Sequence, residues 1–525
     1  MHPFQVSKIA SLLLLLPFSA SAENFPFSTP GTVSAVFDVR LNGVPIPVIA
    51  YKDIHYAHFT LDSAAELEIV AKDSSVEKAR IQPDAFGLPS IIEGNKVRFT
   101  IPRPMQLVAQ LDFREKLLLF ADPLLETVPA DAVNALDLGV VGDGTTDNTS
   151  ALQKAINTLP KSGTLLLPPG HYRSGTLHLR SDMRLHLAPG ALLQAVDEHT
   201  GITPVPFSKG YIGFLVGDGL SNISITGSGT IDANGYVVRK AYEAALKIKK
   251  QSGRILYLKN SKGIMIRGVT LRDSYSWNVQ VSFSDDIKMQ WVKILSDVRL
   301  SNHDGIDLVS CGRVEVSDCF VFSEDDGLSP KAAEGRDIVE NHVYRNIVIW
   351  AHKANGIRVG SESACKVMRN LLFENIYILN GSSGIRLDTT EGATYEDFTF
   401  RNVWIEDVLQ FYDDRYQRNK ERLMIEPDSR AIVLYVGREK ETSPLGAISR
   451  ITFENVHWND SRVSARLDIP SALVKEIEEK KIEPPISDII FRRCSRAGKP
   501  IHQGSDMGMK SNDGTESEGV VFEGG

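Results

Sequence analysis

The sequence predicts an all-β protein: a right-handed parallel β-helix, or solenoid, preceded by a small N-terminal β-sandwich. A degenerate motif (an apolar residue, any residue, then a small or polar residue) recurs from Ile225 to Phe491, and five of its eight intervals are 23 to 29 residues long. A period in the twenties suits one coil of a β-solenoid. The strands are short, and few long helices separate them, which argues against a doubly wound sheet or a TIM barrel.

The motifs share one predicted position in successive coils. They begin at Ile225, Ile266, Met289, Val316, Tyr344, Phe373, Phe400, Phe453 and Phe491. Four of them end in asparagine, at Asn346, Asn375, Asn402 and Asn455. Because equivalent residues of a solenoid stack at about 4.8 Å, these side chains are expected to form an amide ladder at a turn.

The first 22 residues predict a secretory signal peptide. An apolar run, 9–18, follows Lys8, and the small residues Ala20, Ser21 and Ala22 precede Glu23. A membrane anchor is the alternative, but the run is too short to span a bilayer. We therefore expect a secreted or periplasmic protein with no membrane insertion after signal cleavage.

Two further domains are predicted. Residues 23–130 read as a β-sandwich, because short alternating strands are punctuated by turn residues. Residues 131–525 read as the β-helical catalytic domain, opened by a short amphipathic helix at 150–157. A second helix is expected in the Ala- and Lys-rich insertion 235–252, and 406–445 and 459–485 are expected to be charged loops.

Composition excludes several functions. The chain has 525 residues and a formal net charge of −8, with no basic stripe to suggest nucleic acid. Its four cysteines form no CxxC pair, so no zinc site is expected; Cys311 and Cys319 could bridge, and free buried thiols are equally compatible. The sequence predicts no cofactor and no metal.

The densest acidic feature contains Asp304, Asp325 and Asp326. Asp304 and Asp325 are 21 residues apart, close to one coil, so the solenoid should bring them side by side. Crowded carboxylates force one member to hold its proton more tightly, as a general acid requires. The glycines that follow, Gly305 and Gly327, are expected to let the backbone turn. A plain Asp-Gly turn and a calcium site are the alternatives.

The region 135–405 resembles the polygalacturonase family of glycoside hydrolases, and its sandwich-plus-helix plan resembles the related dextranase family. The likeness is carried by the segments 225–235, 258–261, 276–278, 302–307, 324–327, 355–362 and 384–388. It implies that Asp325 is the general acid and that Asp304 and Asp326 activate water. It also implies inversion of configuration, with acid and base about 6.5–9.5 Å apart.

Three departures from the family pattern bear on the substrate. Asn355 stands where the family has a histidine that tunes the acid; His303 or His352 could replace it. Asp388 stands where the family has a lysine, and Glu391 replaces a basic residue. Since acidic groups repel a uronate carboxylate, we expect a neutral glycan or a pectin-related glycan rather than unmodified polygalacturonate.

The remaining candidates would bind substrate. The full predicted set is Asn302, His303, Asn355, Arg358, Arg386, Asp388, Tyr275 and Trp277. The two arginines could donate to sugar hydroxyls or form surface ion pairs. Tyr275 and Trp277 could stack on a pyranose ring, although Trp277 could equally fill the core.

Two other functions fit the same fold. A polysaccharide lyase would use calcium and a basic residue on a uronate substrate, and a glycan-binding protein would have no catalysis, because fold alone does not fix function.

Overall fold

The computed structural model describes residues 32–124, 128–408, 410–412, 422–424, 429–509 and 519–524. The predicted signal peptide lies outside these residues. The antiparallel strands of the N-terminal part end at Asp122, and the parallel strands begin at Val133. The domain boundaries at residues 22 and 130 stay predictions.

The N-terminal part consists of two facing sheets. The six-stranded sheet has the order Thr32–Val33, Val48–Tyr51, Ile54–Thr60, Lys116–Asp122, Met105–Leu111 and Ala79–Gln82. The five-stranded sheet has the order Val44–Ile46, Phe37–Leu41, Ala65–Ala71, Lys96–Ile101 and Ile91–Glu93. Alternate residues such as Phe37, Val39 and Leu41 point inward, and both sheets contribute to a single apolar core.

The rest of the described chain is a parallel β-helix with three walls. The first wall contains Val133–Asn134, Gly163–Leu167, Met183–Leu187, Ser221–Gly227, Lys262–Arg267, Asp285–Gln290, Gly312–Ser317, Ile486–Arg492 and Val520–Glu523. The second contains Asp143–Asp147, Gly170–Ser174, Ala191–Ala195, Thr230–Asp232, Thr270–Arg272, Lys293–Leu295, Phe320–Ser323, Ser495–Arg496 and Lys499–Pro500. Four long strands run through both walls: Ile338–Ala351, Val367–Asn380, Thr394–Ile405 and Ala447–Trp458.

The third wall carries the acidic cluster at its entrance. Its strands are Leu177–His178, Ile212–Asp218, Gly253–Lys259, Val279–Ser282, Ile306–Val309, Leu328–Lys331, Asn355–Val359, Ser383–Thr389, Arg430–Val436 and Ser464–Asp468. The two strands Gln410–Tyr412 and Arg422–Met424 form a separate antiparallel pair. The predicted fold class is confirmed.

The predicted repeat is confirmed residue by residue. All nine motif positions, from Ile225 to Phe491, are paired in register through successive coils of the first wall. From Tyr344 onward the shared position is aromatic, and adjacent rings stack with centroids 4.7 to 5.1 Å apart. The stack lies inside the coil and forms part of its core.

The predicted asparagine ladder is also confirmed. Asn346, Asn375, Asn402 and Asn455 have φ between 52° and 56°, and each side-chain amide from Asn375 onward donates to the side-chain oxygen of the asparagine one coil earlier, over 2.7 to 3.0 Å. Asparagine tolerates this left-handed turn better than most residues, so the ladder fixes the corner between the first and second walls.

Helices interrupt the coils where the repeat lengthens. The three α-helices of the described residues are Thr149–Thr158, Gly235–Leu246 and Ser471–Lys480, and short 3₁₀ turns lie at Asp84–Phe86, Ala135–Leu138, His199–Gly201 and Gly504–Met507. The first two α-helices agree with prediction. The charged region 459–485 is not only loop, because it contains the third helix, and 406–445 contains a buried third-wall strand.

The sandwich packs against the second wall. Tyr56 and Phe120 share an apolar cluster with Phe320 and Trp350. Lys293 is fully buried on a second-wall strand of the β-helix, and its side chain donates to Asp122 at the end of the sandwich. Burying a charge is tolerated only when it is paired, so this contact fixes how the two parts meet.

Candidate active site

The predicted acids line up where the chain enters the third wall. Ile306 pairs with Leu328, and the Gly305 amide donates to the Asp326 carbonyl at 2.8 Å. Asp304 is therefore level with Asp326 rather than with Asp325, which the 21-residue spacing had suggested. The next coil places Asn355 in the same column, since the Gly327 amide donates to its carbonyl at 2.9 Å.

The glycines that follow the acids allow close packing of adjacent coils. A Cβ on Gly305 would lie 2.4 Å from the Gly327 carbonyl oxygen, and a Cβ on Gly327 would lie 2.6 Å from the Gly356 oxygen. Neither glycine has a positive φ in the structure. The chain bends at both glycines, as predicted. Glycine is needed here for close packing, because a side chain would push adjacent coils apart.

The three acids form one cluster. One carboxylate oxygen from each of Asp304, Asp325 and Asp326 lies within 4.8 Å of the others. Asp304 and Asp326 are 3% and 2% exposed, whereas Asp325 is half-buried. Asp325 is therefore the member best placed to meet a molecule in the cleft.

Burial and mutual repulsion hold protons on this cluster. Burial, followed by the charge of Asp307, raises the pKa of Asp304 well above its usual range. Burial, followed by Asp326 and Glu324, raises the pKa of Asp325 to about 7. A carboxyl group that stays protonated near neutral pH can act as a general acid.

Asp326 is bound by two residues of the next coil. Its Oδ1 accepts hydrogen bonds from the backbone amide and side-chain amide of Asn355, at 3.1 and 2.6 Å. Its Oδ2 lies 3.5 Å from Nη1 of Arg358. Asn355 is 6% exposed, so its prediction as a substrate contact is corrected: its side chain binds Asp326.

Asp388 does not present a free charge to the cleft. Its Oδ2 lies 3.0 Å from Nη2 of Arg358, and both of its oxygens accept from Nε of Arg386, at 2.8 and 2.9 Å. Asp388 is 2% exposed. Its prediction as a substrate contact is wrong, because its carboxylate is buried between two arginines. The two arginines keep roughly three-tenths of their side-chain surface exposed.

Of the two aromatic candidates, Tyr275 is corrected and Trp277 stays a prediction. Tyr275 is fully buried within the main core and cannot stack on a sugar. Trp277 is half-buried, but its ring already lies against two cations: the Nζ of Lys331 at 3.8 Å and the Cζ of Arg254 at 4.1 Å from the centroid. Cation–π contacts of this length are stabilising.

The two histidines differ in exposure. His303 is fully buried, and burial lowers its pKa to about 3, so its prediction as a substrate contact is wrong and it cannot act as a charged partner of the acid. His352 is half-buried beside Lys353. Asn302 is partly exposed, and its side chain accepts from Lys250.

Sequence reasoning missed several charged groups of the site. Lys331 contacts Asp304 and Asp307; Lys353 pairs with Glu324 at 3.0 Å; Lys250 comes from the insertion that follows the second α-helix. Asp307 and Lys331 are 24 residues apart, so the coil period itself carried the signal for that pair. Nothing in the sequence pattern indicated that Lys250, at the end of the insertion, lies beside Asn302 near the acids.

The four cysteines are free and buried, so the bridge considered between Cys311 and Cys319 is absent. Among the described residues, no helix combines the length and apolar character that a bilayer crossing requires.

Comparison with known proteins agrees with this geometry. Residues 190–421 match the model of glycosyl hydrolases family 28. A probable polygalacturonase of Vitis vinifera is 32% identical over 287 residues, which cover 50% of this chain and 58% of that protein. An endo-polygalacturonase of Pectobacterium carotovorum subsp. carotovorum is 25% identical over 308 residues, or 49% and 77% of the two chains.

Solved structures share the fold. The polygalacturonase of Erwinia carotovora ssp. carotovora has a TM-score of 0.56 at 19% identity, covering 74% of this chain and 98% of that one. Dex49A from Penicillium minioluteum has a TM-score of 0.57 at 12% identity, covering 94% and 96% of the two chains; its match extends through the N-terminal part. The chain is therefore similar to family 28 glycosyl hydrolases over residues 190–421, and it shares the fold of the solved polygalacturonase.

Proposed function

We propose that this chain hydrolyses glycosidic bonds in a pectin-related polysaccharide or oligosaccharide by Asp acid–base catalysis. The observation that carries the proposal is the cluster of Asp304, Asp325 and Asp326, with one oxygen of each within 4.8 Å. The similarity of residues 190–421 to family 28 glycosyl hydrolases supports it. The chain spans 58% of the length of its Vitis vinifera relative, so the activity is proposed on the geometry of this site.

The environments of the acids support a division of roles. Asp325 is half-buried and has a pKa raised to about 7, so it is protonated in mildly acidic solution and can donate to the leaving oxygen. Asp326 is held in place by Asn355 and Arg358, and in this proposal it accepts a proton from water. Asp304 faces the same water from the neighbouring coil.

Inversion of configuration is part of the proposal. Inverting enzymes separate their acid and base carboxyl groups by about 6.5–9.5 Å. One oxygen of each acid lies within 4.8 Å of the others. This distance is shorter than that range, but it joins single oxygens, and the centres of the carboxyl groups lie farther apart. The stereochemistry of the product therefore needs a direct measurement.

The substrate preference now rests on Glu391. Because Asp388 is neutralised by two arginines, it does not repel a uronate. Glu391 is the second acidic replacement. Burial and the neighbouring acids Glu439 and Glu362 raise its pKa, so these three glutamates form an acidic group. We expect slower cleavage of unmodified polygalacturonate than of a pectin-related glycan that places a neutral sugar beside Glu391.

A panel assay tests the function. Purified protein is incubated with polygalacturonate, xylogalacturonan, rhamnogalacturonan and neutral glycans, and reducing ends are counted. Release from at least one glycan, lost in Asp325→Asn, is expected. Absence of release from every glycan contradicts hydrolysis, and absorbance of an unsaturated product identifies a lyase instead. Binding without turnover identifies the non-catalytic alternative.

Export belongs to the same proposal, because a polysaccharide substrate lies outside the cell. The apolar run 9–18 and the small residues at 20–22 support it. The N-terminal sequence of protein recovered outside the cytoplasm is expected to begin at Glu23; recovery with residues 1–22 intact contradicts cleavage at this point.

A further inference from the structure

Lys331 is a buried cation beside the acidic cluster. It ends the third-wall strand Leu328–Lys331 and is 4% exposed. Its Nζ lies 3.1 Å from Oδ1 of Asp307, 3.5 Å from Oδ2 of Asp304 and 2.9 Å from Oε2 of Glu362. One ammonium group therefore contacts two acids of the coil before its own and one acid of the coil after it.

Trp277 closes the other side of this ammonium group. The Nζ of Lys331 lies 3.8 Å from the indole centroid, and Arg254 lies 4.1 Å from it. Arg254 also lies 4.5 Å from the ring centroid of Tyr211. Tyr211, Arg254, Trp277 and Lys331 therefore stack in that order. The stack restricts the position of the ammonium group.

We propose that Lys331 is a positioning residue: its ammonium group holds Asp304 and Asp307 as a fixed carboxylate pair, with Trp277 packed behind it. Asp304 thereby keeps its place beside Asp326. The part of this inference that concerns activity rests on the proposed hydrolysis.

The neighbouring cations Arg254 and Arg358 contact groups other than Asp304 and Asp307. Arg254 donates to Gln280 and Ser276, at 2.7 Å each, and Arg358 is held by Asp388. The charged groups that face Asp304 and Asp307 from the surrounding elements are Lys331, Arg254, Lys250, Asp325 and Asp326. In the described part of the chain, Lys331 is the cation with ion-pair contacts to both Asp304 and Asp307.

The pH dependence of unfolding follows from this contact. Burial raises the pKa of Asp307 to about 7, and Lys331 opposes that rise. Below pH 7 Asp307 is mostly protonated, so little ion-pair energy is lost when Lys331 is removed. Above pH 7 the wild type holds an ion pair that Lys331→Met lacks, whereas the unfolded carboxyl is ionised in both proteins. The deficit of the variant should therefore grow as the pH rises.

The first experiment measures thermal unfolding of the full chain between pH 5 and pH 8, for wild type, Lys331→Met and Lys331→Arg. Lys366→Met is the matched control, since Lys366 is 77% exposed and paired with Asp337 at the surface. We expect the gap in Tm between wild type and Lys331→Met to widen by a few degrees across this range. Lys331→Arg should reduce the widening, and the control should show none.

A gap that is the same at every pH overturns the proposal, because lost packing alone would produce that result. If Lys331→Met does not fold, Lys331→Met combined with Asp307→Asn replaces the pair by neutral groups, a change that buried ion pairs often tolerate. A folded double variant whose Tm follows the wild type with pH also overturns the proposal.

The second experiment measures activity on a glycan that the wild type cleaves. Lys331→Met is expected to lower kcat roughly 100-fold with KM within about twofold, and to move the acidic limb of the kcat profile to higher pH. An unshifted limb overturns the role in activity. If the wild type cleaves nothing, hydrolysis fails as a proposal, while the unfolding experiment still decides whether Lys331 holds the acid pair.

Discussion

The side-chain amide of Asn355 donates to Oδ1 of Asp326 across 2.6 Å, from the next coil of the solenoid. The backbone amide of Asn355 donates to the same oxygen at 3.1 Å. The residue thus binds the carboxylate that we propose as the base, not the half-buried Asp325 that we propose as the acid. A change at this position should therefore affect water activation.

Asn355→Ala is expected to lower kcat about tenfold, because removal of one charge-assisted hydrogen bond costs about 1.5–3 kcal/mol. The KM should change little, since Asn355 is 6% exposed. Steady-state kinetics at several pH values checks this. Asn355→Asp is the paired variant: it adds a carboxylate against Asp326 and should be less active than Asn355→Ala above pH 5. Equal activity of both variants and the wild type would contradict the assignment.

Asp325→Asn is expected to abolish most turnover, by about 10² or more, while the fold is retained. It should also unfold at a higher temperature than the wild type at pH 7. The folded pKa of Asp325 is raised to about 7, above its unfolded value, so this carboxyl destabilises the fold progressively as the pH rises from about 4 to 7. Calorimetry at pH 4 and pH 7 measures the gain, which should be larger at pH 7; a gain that shrinks with pH would contradict the raised pKa.

The asparagine ladder offers a test of stability without a change in chemistry. Asn375 accepts from Asn402 and donates to Asn346, at 3.0 and 2.9 Å, with φ of 55°. Asn375→Ala should cost about 1–3 kcal/mol, because it loses two hydrogen bonds and strains the turn. Asn375→Gly adopts the turn conformation without strain and loses only the hydrogen bonds. Its stability should therefore lie between those of the wild type and Asn375→Ala. Activity per folded molecule should not change. Equal stability of all three proteins would show that the ladder contributes nothing.

The buried pair Lys293 and Asp122 should govern how the sandwich attaches to the helix. Both side chains are at most 4% exposed, and His58 also contacts Asp122 at 2.7 Å. Removal of one partner of a buried pair typically costs about 3–5 kcal/mol, so Lys293→Met should lower the free energy of unfolding by about that amount. Denaturant unfolding, followed by tryptophan emission, measures it. Lys293→Met with Asp122→Asn should recover part of the loss; a further loss in the double variant would contradict the pairing.

The coil repeat was predictable because its physical basis is local. Phe373, Phe400 and Phe453 recur at one position and stack, and asparagine at the following turn adopts a conformation that few other residues tolerate. The three acids could be placed together for the same reason: the coil length brings them level. The register itself was misjudged by one residue, because Asp304 is level with Asp326.

The failures concern side chains whose position depends on neighbours that are distant in sequence. The sequence predicts that the charge of Asp388 faces the substrate, but Arg358, one coil earlier, binds this carboxylate. Tyr275 reads as a stacking platform until its burial inside the coil is seen. Lys250 reaches Asn302 from an insertion whose path the repeat does not determine. Periodicity fixes which residues are level with each other, but not which side chains pair.

The anomeric configuration of the first product tests the central claim most directly. Proton NMR of a fresh reaction, recorded before the reducing ends mutarotate, distinguishes inversion from retention. If Asp304 and Asp326 activate a water while Asp325 protonates the leaving oxygen, the first product carries the anomer opposite to that of the substrate, and Asp325→Asn gives no product in the same time. A product with the substrate's own configuration, or with an unsaturated ring, would contradict this arrangement of the three acids.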